Sequence, residues 1–194
     1  MRNGNNRERT TRFGSLMAKV SIVNVVATAA LGQRVDLEEL GKCPQIVHDP
    51  EIYGGRVAYF RSPKFTGEVT IFSSGKMISV GSKSEAEAFR ALDFAKEYLI
   101  KRGFVKQVNL EKKTQNIVVV VDFGKAVDLE ALAKGHRMVY EPEQFPGAIL
   151  RMEKRSGVTA LVYSSGKAVI AGIKSSKDIE EIVGNLEAVL KSYV

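Results

Sequence analysis

Two stretches of the chain decide its fold: VDLEELGKCPQIVHDPEIYGG at residues 35–55 and VDLEALAKGHRMVYEPEQFPG at residues 127–147. Each opens with VDLE, and both carry Pro-Glu and a glycine at matching places. With an offset of 92, residues 24–60 match residues 116–152 at 13 of 37 positions, with Gly55 aligned to Gly147. The chain is therefore predicted to contain two copies of one supersecondary unit.

The similarity continues beyond a one-residue shift, where residues 71–84 match residues 162–175 at 7 of 14 positions and both contain SSGK. The period is longer than the roughly 20–50 residues of solenoid repeats, so a duplicated domain is predicted. The predicted repeats are residues 20–107 and 108–194, after a flexible basic tail at residues 1–19.

Each copy has the same predicted order of elements. A strand (22–28 or 116–122) precedes a short helix at VDLE, strand-like stretches near 46–60 or 138–153, a strand through SSGK and a long helix. An apolar run in the first strand, VSIVNVVATAALG, resembles a secretion signal after its basic flank. Its partial repetition inside the chain, QNIVVVVDFG, favours a β-strand in both places.

The two long helices have recognisable ends. Ser84 and Glu87 form a predicted capping box for the first, and Gly103 is its predicted stop. Ser175 and Asp178 mark the start of the second. Both helices are amphipathic, so each is expected to cover one side of a sheet.

The charge of the chain is weak evidence for a function. It has 29 Lys+Arg against 22 Asp+Glu, a formal charge of +7. Residues 1–19 hold five basic residues and one acidic residue, 5 − 1 = +4, which leaves +3 for the remainder. The composition excludes wholesale disorder, and the one cysteine, Cys43, excludes a disulfide framework.

Alternation along the SSGK strands predicts an uncovered apolar face. Phe72, Ile78 and Val80 share one side with Ser74 and Lys76, and Tyr163, Val169 and Ala171 share one side with Ser165 and Lys167. The opposite sides are apolar as well. One long helix per repeat is too few to cover two faces, so one face is expected to remain open for a partner.

Two occupants of this face remain open from the residues alone. The faces could pack on each other or close a homodimer. Lys76 and Lys167 lie among the apolar residues, and Lys83 and Lys174 follow at the strand ends. An apolar surface with cations suits a ligand that has a hydrophobic body and an anionic skeleton, for which nucleic acid is the commonest candidate.

These features together resemble the TATA-binding protein family, in its archaeal form. The resemblance rests on the duplication, EPEQFPG at 141–147, the paired SSGK segments, and the GSK and GIK that follow them, and it covers residues 20–194. It implies an α+β fold: a saddle-shaped, curved sheet of ten antiparallel strands with four helices on the convex face. The family is itself the standard case of minor-groove binding with apolar wedges that kink DNA.

The resemblance also implies roles for individual residues. The wedges fall on Tyr53, Phe72, Phe145 and Tyr163. Base-edge contacts fall on Asn24 and Asn116 with Val26 and Val118 beside them, and phosphate contacts fall on Lys76, Lys83, Arg151, Lys167 and Lys174. Two departures bear on specificity: tyrosines replace two wedge phenylalanines, and Val80 and Ala171 stand where the family usually has threonine. A divergent paralogue without preference for a standard TATA sequence remains an alternative.

A protein partner and a location are implied in the same way. Glu141, Glu143 and Gln144 match the loop through which the family recruits a TFIIB-like factor, and through it RNA polymerase. A homodimer through the concave face is expected for the free protein. The location is cytoplasmic, at the nucleoid, or nuclear if the source is eukaryotic.

No enzyme or cofactor is predicted. SSGK lacks the flanking residues of a phosphate-binding loop, and His48 and His136 have no ligand or triad partner at a useful spacing. The predicted function is a general transcription initiation factor that binds and bends A·T-rich promoter DNA in the minor groove. The alternative is a protein-interaction or hydrophobic-ligand-binding module on the same fold.

Overall fold

The computed structural model describes residues 9–13, 16–136, 138–152 and 156–194. The chain divides into two compact units, one of residues 24–115 and one of residues 116–194 with the residues before Asn24. Each unit carries one copy of the duplicated sequence. Residues 108–115, which the sequence assigned to the second repeat, cluster with the first.

The first repeat is a five-stranded antiparallel sheet with two helices. Its strand order is β3-β4-β5-β6-β2. The elements in chain order are β2 (Leu16–Ala30), α1 (Leu37–Gly41), β3 (Ile46–Val47), β4 (Val57–Phe60), β5 (Glu68–Phe72), β6 (Lys76–Ser82) and α2 (Glu85–Lys101), with a 3₁₀ turn at Ile52–Gly55.

The second repeat has the same content and order, β8-β9-β10-β11-β7. Its elements are β7 (Lys113–Asp122), α3 (Leu129–Gly135), β8 (Met138–Val139), β9 (Gly147–Arg151), β10 (Thr159–Tyr163), β11 (Lys167–Ile173) and α4 (Ile179–Leu190), with 3₁₀ turns at Ser176–Asp178 and Lys191–Tyr193. The two repeats thus supply the ten antiparallel strands and four helices that the sequence predicts.

A further strand lies in the segment that the sequence assigned to a flexible tail. β1 (Arg9–Phe13) pairs with the start of β2 as an antiparallel hairpin, with Arg9 opposite Val20 and Phe13 opposite Leu16. β1 also contacts α4. Residues 9–13 and 16–19 are therefore ordered as strands, while residues 1–8, 14 and 15 lie outside the described part of the chain.

Local signals place the long helix α2 as predicted. The Ser84 hydroxyl accepts a hydrogen bond from the Glu87 backbone N–H at 3.1 Å, and the Glu87 carboxylate accepts one from the Lys83 N–H at 2.9 Å. Gly103, with φ of +78°, ends the helix, and the N–H of the next residue returns to the Leu99 carbonyl. The buried residues of α2 face β5 and β6.

The start of α4 differs from the prediction. Ser175 caps a 3₁₀ turn at Ser176–Asp178, where its hydroxyl accepts from the Lys177 N–H, and α4 begins after that turn at Ile179. Ser175 therefore does cap a helical segment, but that segment begins with a 3₁₀ turn, and the α-helix follows it.

Strand pairing corrects the alignment of the repeats at β4 and β9. Phe72 pairs with Val57, and its counterpart Tyr163 pairs with Gly147. Val57, and not Gly55, is therefore the structural equivalent of Gly147. The segment between β3 and β4, residues 48–56, is two residues longer than the segment between β8 and β9, residues 140–146.

Candidate nucleic-acid interface

One face of the first sheet is largely uncovered. Along β6, Met77 and Ser79 are fully buried on the side of α2, whereas Ile78 and Val80 on the other side are partly exposed. Thr70 lies directly opposite Ile78 across the strands. We call this surface the first open face; it consists of Asn24, Val26, Thr28, Tyr59, Glu68, Thr70, Phe72, Ile78 and Val80.

The second sheet repeats this arrangement. Ala168 and Ile170 are fully buried. Val169, which lies between them, and Ala171, which follows them, are partly exposed. Leu161 is the cross-strand neighbour of Val169. The second open face consists of Asn116, Val118, Val120, Ile149, Thr159, Leu161, Tyr163, Val169 and Ala171. The predicted apolar face is thus present in each repeat, but the predicted single strand through SSGK is wrong. Residues 73–75 and 164–166 are turns that join β5 to β6 and β10 to β11. Phe72 shares a face with Ile78 and Val80 because the two strands of the hairpin pair, with Thr70 opposite Ile78 and Glu68 opposite Val80.

An asparagine in each open face is held in one orientation. The Asn24 side-chain oxygen accepts a hydrogen bond from the Gly81 N–H at 2.9 Å, and the Asn116 oxygen accepts one from the Gly172 N–H at 2.8 Å. Because the backbone N–H requires an acceptor, the amide oxygen points to it and the NH₂ group remains as the donor. Val26 and Val118 lie two residues along on the same faces.

The glycines that hold these asparagines sit at irregularities in the strand pairing. Register shifts occur between Val25 and Ala27 on β2, and between Ile170 and Ile173 on β11. Gly81 and Gly172 have φ of +95° and +94°. A Cβ on Gly172 would lie 2.0 Å from the Gly157 carbonyl oxygen, so only glycine fits.

Cations border both faces. Lys76 and Lys167 begin β6 and β11 and are exposed, and Lys83 and Lys174, also exposed, follow the ends of the same strands. Arg151, the last residue of β9, is exposed beside Thr159. All five predicted phosphate contacts therefore lie at strand ends, where long side chains reach outward.

Glu87 fixes the backbone at Lys83. Burial tends to raise the pKa of the Glu87 carboxyl, but hydrogen bonds from the backbone of Lys83 and from Thr66 outweigh it and hold the pKa below its usual value. The ionised carboxylate thus ties the end of β6 to the first turn of α2.

The four predicted wedge residues differ between the repeats. Phe145 is 39% exposed, and its ring centre lies 6.2 Å from that of Tyr163, so the two rings form a ready-made pair. Phe72 is partly exposed on the first open face. Tyr53 is 74% exposed in the longer loop, with φ of +50°, and within the described residues its ring contacts no other ring.

The family follows from comparison with known proteins. A family model described as "Transcription factor TFIID (or TATA-binding protein, TBP)" matches residues 19–101 and 111–193, one match to each repeat. The chain belongs to the TATA-binding protein family. Among its relatives, the TATA-box-binding protein of Cenarchaeum symbiosum is 39% identical over 161 residues, which cover 81% of this chain and 86% of that one.

Further members agree with this assignment. The TATA-box-binding protein of Methanococcus aeolicus is 34% identical over 183 residues, 92% of this chain and 99% of the other. The solved structure of Methanococcus jannaschii TBP superposes with a TM-score of 0.79 at 32% identity, and the match covers 89% of this chain and 98% of that one. The tandem TBP fold is thereby confirmed.

In this member of the TBP family, Val80 and Ala171, which stand where the family usually has threonine, have different cross-strand neighbours. Val80 lies opposite Glu68, whereas Ala171 lies opposite Thr159. Sequence reasoning did not select Glu68. The alternation that placed Phe72 on the open face also places Glu68 there, four residues earlier, and would have found it.

The predicted partner loop forms a compact turn. The Glu141 carbonyl accepts hydrogen bonds from the N–H groups of Gln144 and Phe145, both at 2.9 Å. Residues 141–146 are all exposed, so the side chains of Glu141, Glu143 and Gln144 are accessible. The same turn positions Phe145 against Tyr163. The residues proposed to contact the protein partner and those proposed to contact DNA are therefore held by one turn.

A groove adjoins the first open face. It has a volume of about 790 Å³ and is lined by Thr28, Phe72, Lys76 and Ile78 on the sheet, and by Val108 and Glu111 among residues of the connector after α2. In the described ranges, no three His, Cys, Asp or Glu side chains cluster as a metal site would require. Nor is any helix of that part of the chain long and apolar enough to cross a membrane.

Proposed function

We propose that this protein is a general transcription initiation factor that binds A·T-rich promoter DNA in the minor groove and bends it. The observation that carries the proposal is the fixed orientation of Asn24 and Asn116, whose NH₂ groups remain as donors beside Val26 and Val118 on the open faces. A·T pairs present only acceptors in the minor groove, adenine N3 and thymine O2. Donors set among apolar residues complement such an edge.

The surroundings of the asparagines suit the same ligand. The apolar residues of the open faces match sugars and base edges, and the five cations at the strand ends match phosphates. Val80 and Ala171 offer no hydroxyl to a base. Direct readout is therefore expected to depend on the two asparagines, with deformability of the DNA contributing the rest.

Bending is assigned to the aromatic side chains. Apolar wedges that enter a base step from the minor groove unstack it and kink the duplex. Phe72 and Tyr163 lie on the open faces, and Phe145 packs against Tyr163, which supports these three rings as wedges, with Tyr53 as the fourth candidate. Each tyrosine must place its hydroxyl against water or a phosphate when it inserts.

Recruitment of a TFIIB-like factor is assigned to the turn at Glu141, Glu143 and Gln144. Two exposed carboxylates and an amide on a hydrogen-bonded turn form an acidic surface for a basic partner. RNA polymerase would then be reached through that factor.

Binding to matched duplexes tests the central proposal. Affinity for an A·T-rich duplex should exceed that for a G·C-rich duplex of equal length, measured by fluorescence anisotropy. If all five cations contact phosphates, log K should fall against log salt with a slope of about −4.5. End-to-end energy transfer on the same duplex should report bending. Equal, salt-insensitive binding to both duplexes would refute the proposal.

A second assay tests the partner. Glu141→Lys with Glu143→Lys should abolish a higher-order complex with a TFIIB-like factor on DNA while leaving binary DNA binding intact. Glu130→Lys with Glu180→Lys, on the exposed sides of α3 and α4, reverses the same number of charges and is the matched control. An unchanged ternary complex would show that the turn is not the docking site.

The groove beside Phe72 favours one second candidate. Its volume and its mixed lining would accommodate a small hydrophobic ligand with an anionic group near Lys76. A protein that uses this groove would be an interaction or ligand-binding module without TATA specificity. Salt-insensitive DNA binding together with saturable uptake of a fluorescent fatty acid would favour that candidate.

A further inference from the structure

We propose that the two repeats bind DNA with unequal strength, because an ion pair on the first open face neutralises a cation that the second repeat leaves available. The proposal rests on the proposed function, since it takes the open faces to be the DNA-binding surface. The pair is formed by Arg61 and Glu68, and the corresponding residues of the second repeat are Arg151 and Thr159.

The equivalence follows from the strand pairing. Arg151 pairs with Thr159 at the end of β9. In the first repeat the last β4–β5 pair is Phe60 with Val69, so Arg61 and Glu68 continue the same ladder by one position. Glu68 lies opposite Val80, as Thr159 lies opposite Ala171.

Two nitrogens of the Arg61 guanidinium contact the Glu68 carboxylate. The Arg61 Nε donates to Glu68 Oε2 at 2.9 Å, and its Nη2 lies 2.8 Å from the same oxygen. The Arg61 side chain is 67% exposed and that of Glu68 is 30% exposed. In the second repeat the cross-strand neighbour of Arg151 is the uncharged Thr159, and among the described residues Arg151 forms no ion pair; we infer that its guanidinium contacts a phosphate when DNA binds.

The effect on a polyanion is direct. A guanidinium that is already paired with a carboxylate adds no net charge to the surface, and the carboxylate itself repels nearby phosphates. Each phosphate that a protein neutralises contributes about 0.9 to the slope of log K against log salt. The first repeat is thus expected to contribute about one unit less than the second to the slope of log K against log salt.

The loop after β3 is a second, independent reason to expect the first repeat to bind DNA more weakly than the second. In the second repeat, Phe145 is packed against Tyr163 before DNA arrives. In the first, Tyr53 extends from a loop that is two residues longer and contains Gly54 and Gly55, both with positive φ. Ordering this ring on DNA costs conformational entropy that the second repeat does not lose.

Reciprocal substitutions test the ion pair. Glu68→Thr gives the first repeat the residue of the second, and Thr159→Glu does the reverse. On an A·T-rich duplex we expect Glu68→Thr to steepen the salt slope by about one unit and Thr159→Glu to flatten it by about one unit. Between 50 and 200 mM salt, affinity should therefore fall by about fourfold more for Glu68→Thr, and by about fourfold less for Thr159→Glu, than for the wild-type chain.

A further substitution tests whether the effect of Glu68→Thr comes from the release of Arg61 or only from the removal of a negative charge. Arg61→Ala should flatten the slope by about one unit in the Glu68→Thr background, where Arg61 is released to a phosphate, and by clearly less in the wild-type chain. Thermal unfolding of each variant confirms that it is folded. This is a double-mutant cycle on DNA affinity.

The outcomes distinguish this inference from the proposed function. If the wild-type chain fails to bind the A·T-rich duplex, the proposed function fails. If it binds but neither reciprocal substitution changes the slope, or if Glu68→Thr weakens binding, the inference of unequal repeats is overturned while DNA binding stands. Opposite slope changes support it.

Discussion

Asn116→Asp is the substitution that most sharply tests the proposed contact between this amide and DNA. Aspartate has the shape of asparagine and keeps an oxygen for the Gly172 N–H, which Asn116 accepts at 2.8 Å. What it loses is the NH₂ donor, and what it gains is a negative charge on the second open face. The fold is therefore expected to survive a change that removes the proposed base contact.

The size of the effect can be estimated from these terms. Loss of one hydrogen bond to a base edge costs about 0.5–1.5 kcal/mol, and a carboxylate set against acceptors without a partner adds about 1–3 kcal/mol. A total of about 1.5–4.5 kcal/mol corresponds to roughly 10-fold to 2,000-fold weaker binding. The Gly172 hydrogen bond is retained, so we expect little change in the melting temperature.

Fluorescence anisotropy on an A·T-rich duplex measures the affinity, and thermal unfolding followed by circular dichroism checks the fold. Asn185→Asp makes the same chemical change on α4, away from the open faces, and should bind within about threefold of wild type, because only long-range charge differs. Asn24→Asp should behave like Asn116→Asp. Wild-type affinity in a folded Asn116→Asp variant would refute the role of this amide.

Three other outcomes are expected. Phe145→Ala should reduce the bend angle and cost about 1–3 kcal/mol of DNA binding, measured by energy transfer and anisotropy, and should exceed Tyr53→Ala because the Phe145 ring is already packed. Gly172→Ala should lower the free energy of unfolding, measured in urea, by more than about 2 kcal/mol. Gly124 also has a positive φ, of +67°, but open space around it, so Gly124→Ala should lower the free energy of unfolding by only about 1 kcal/mol. Equal losses for the two variants would contradict the predicted clash at Gly172. Since the folded-state pKa of Glu87 is lowered, Glu87→Gln should destabilise the protein at neutral pH, and the difference should vanish as pH falls through that pKa in urea titrations.

The sequence predicted the repeated fold because two signals in it are local. Identity between the copies is high around VDLE and SSGK, where a helix cap and a tight turn restrict the residues. Alternation holds within β5 and within β6, but not from Phe72 to Val80 as predicted, because residues 73–75 turn the chain between the two strands. The existence of an open apolar face could therefore be predicted from the sequence, whereas the hairpin that brings Phe72 and Val80 to the same face required the strand pairing.

Other features depend on pairing between distant segments. The register of β4 was misjudged because no residue after Gly55 in that alignment matches the second copy, and only the pairing of Val57 with Phe72 reveals the two extra residues. The Arg61–Glu68 pair likewise joins two strands across a loop. The strand β1 was read as tail because its basic sequence has no strong periodicity before it pairs with β2.

The glycine irregularities have a consequence for mutational libraries. A library randomised at positions 81 and 172 and selected only for soluble expression should return glycine at both, because the backbone there excludes a Cβ. A library randomised at the asparagines that accept from those glycines should, under that selection, favour residues that keep an acceptor oxygen, such as asparagine and aspartate, and should narrow to asparagine only when promoter occupancy is scored. Comparing the two selections would separate what maintains this scaffold from what reads its target, residue by residue, within one hydrogen-bonded pair.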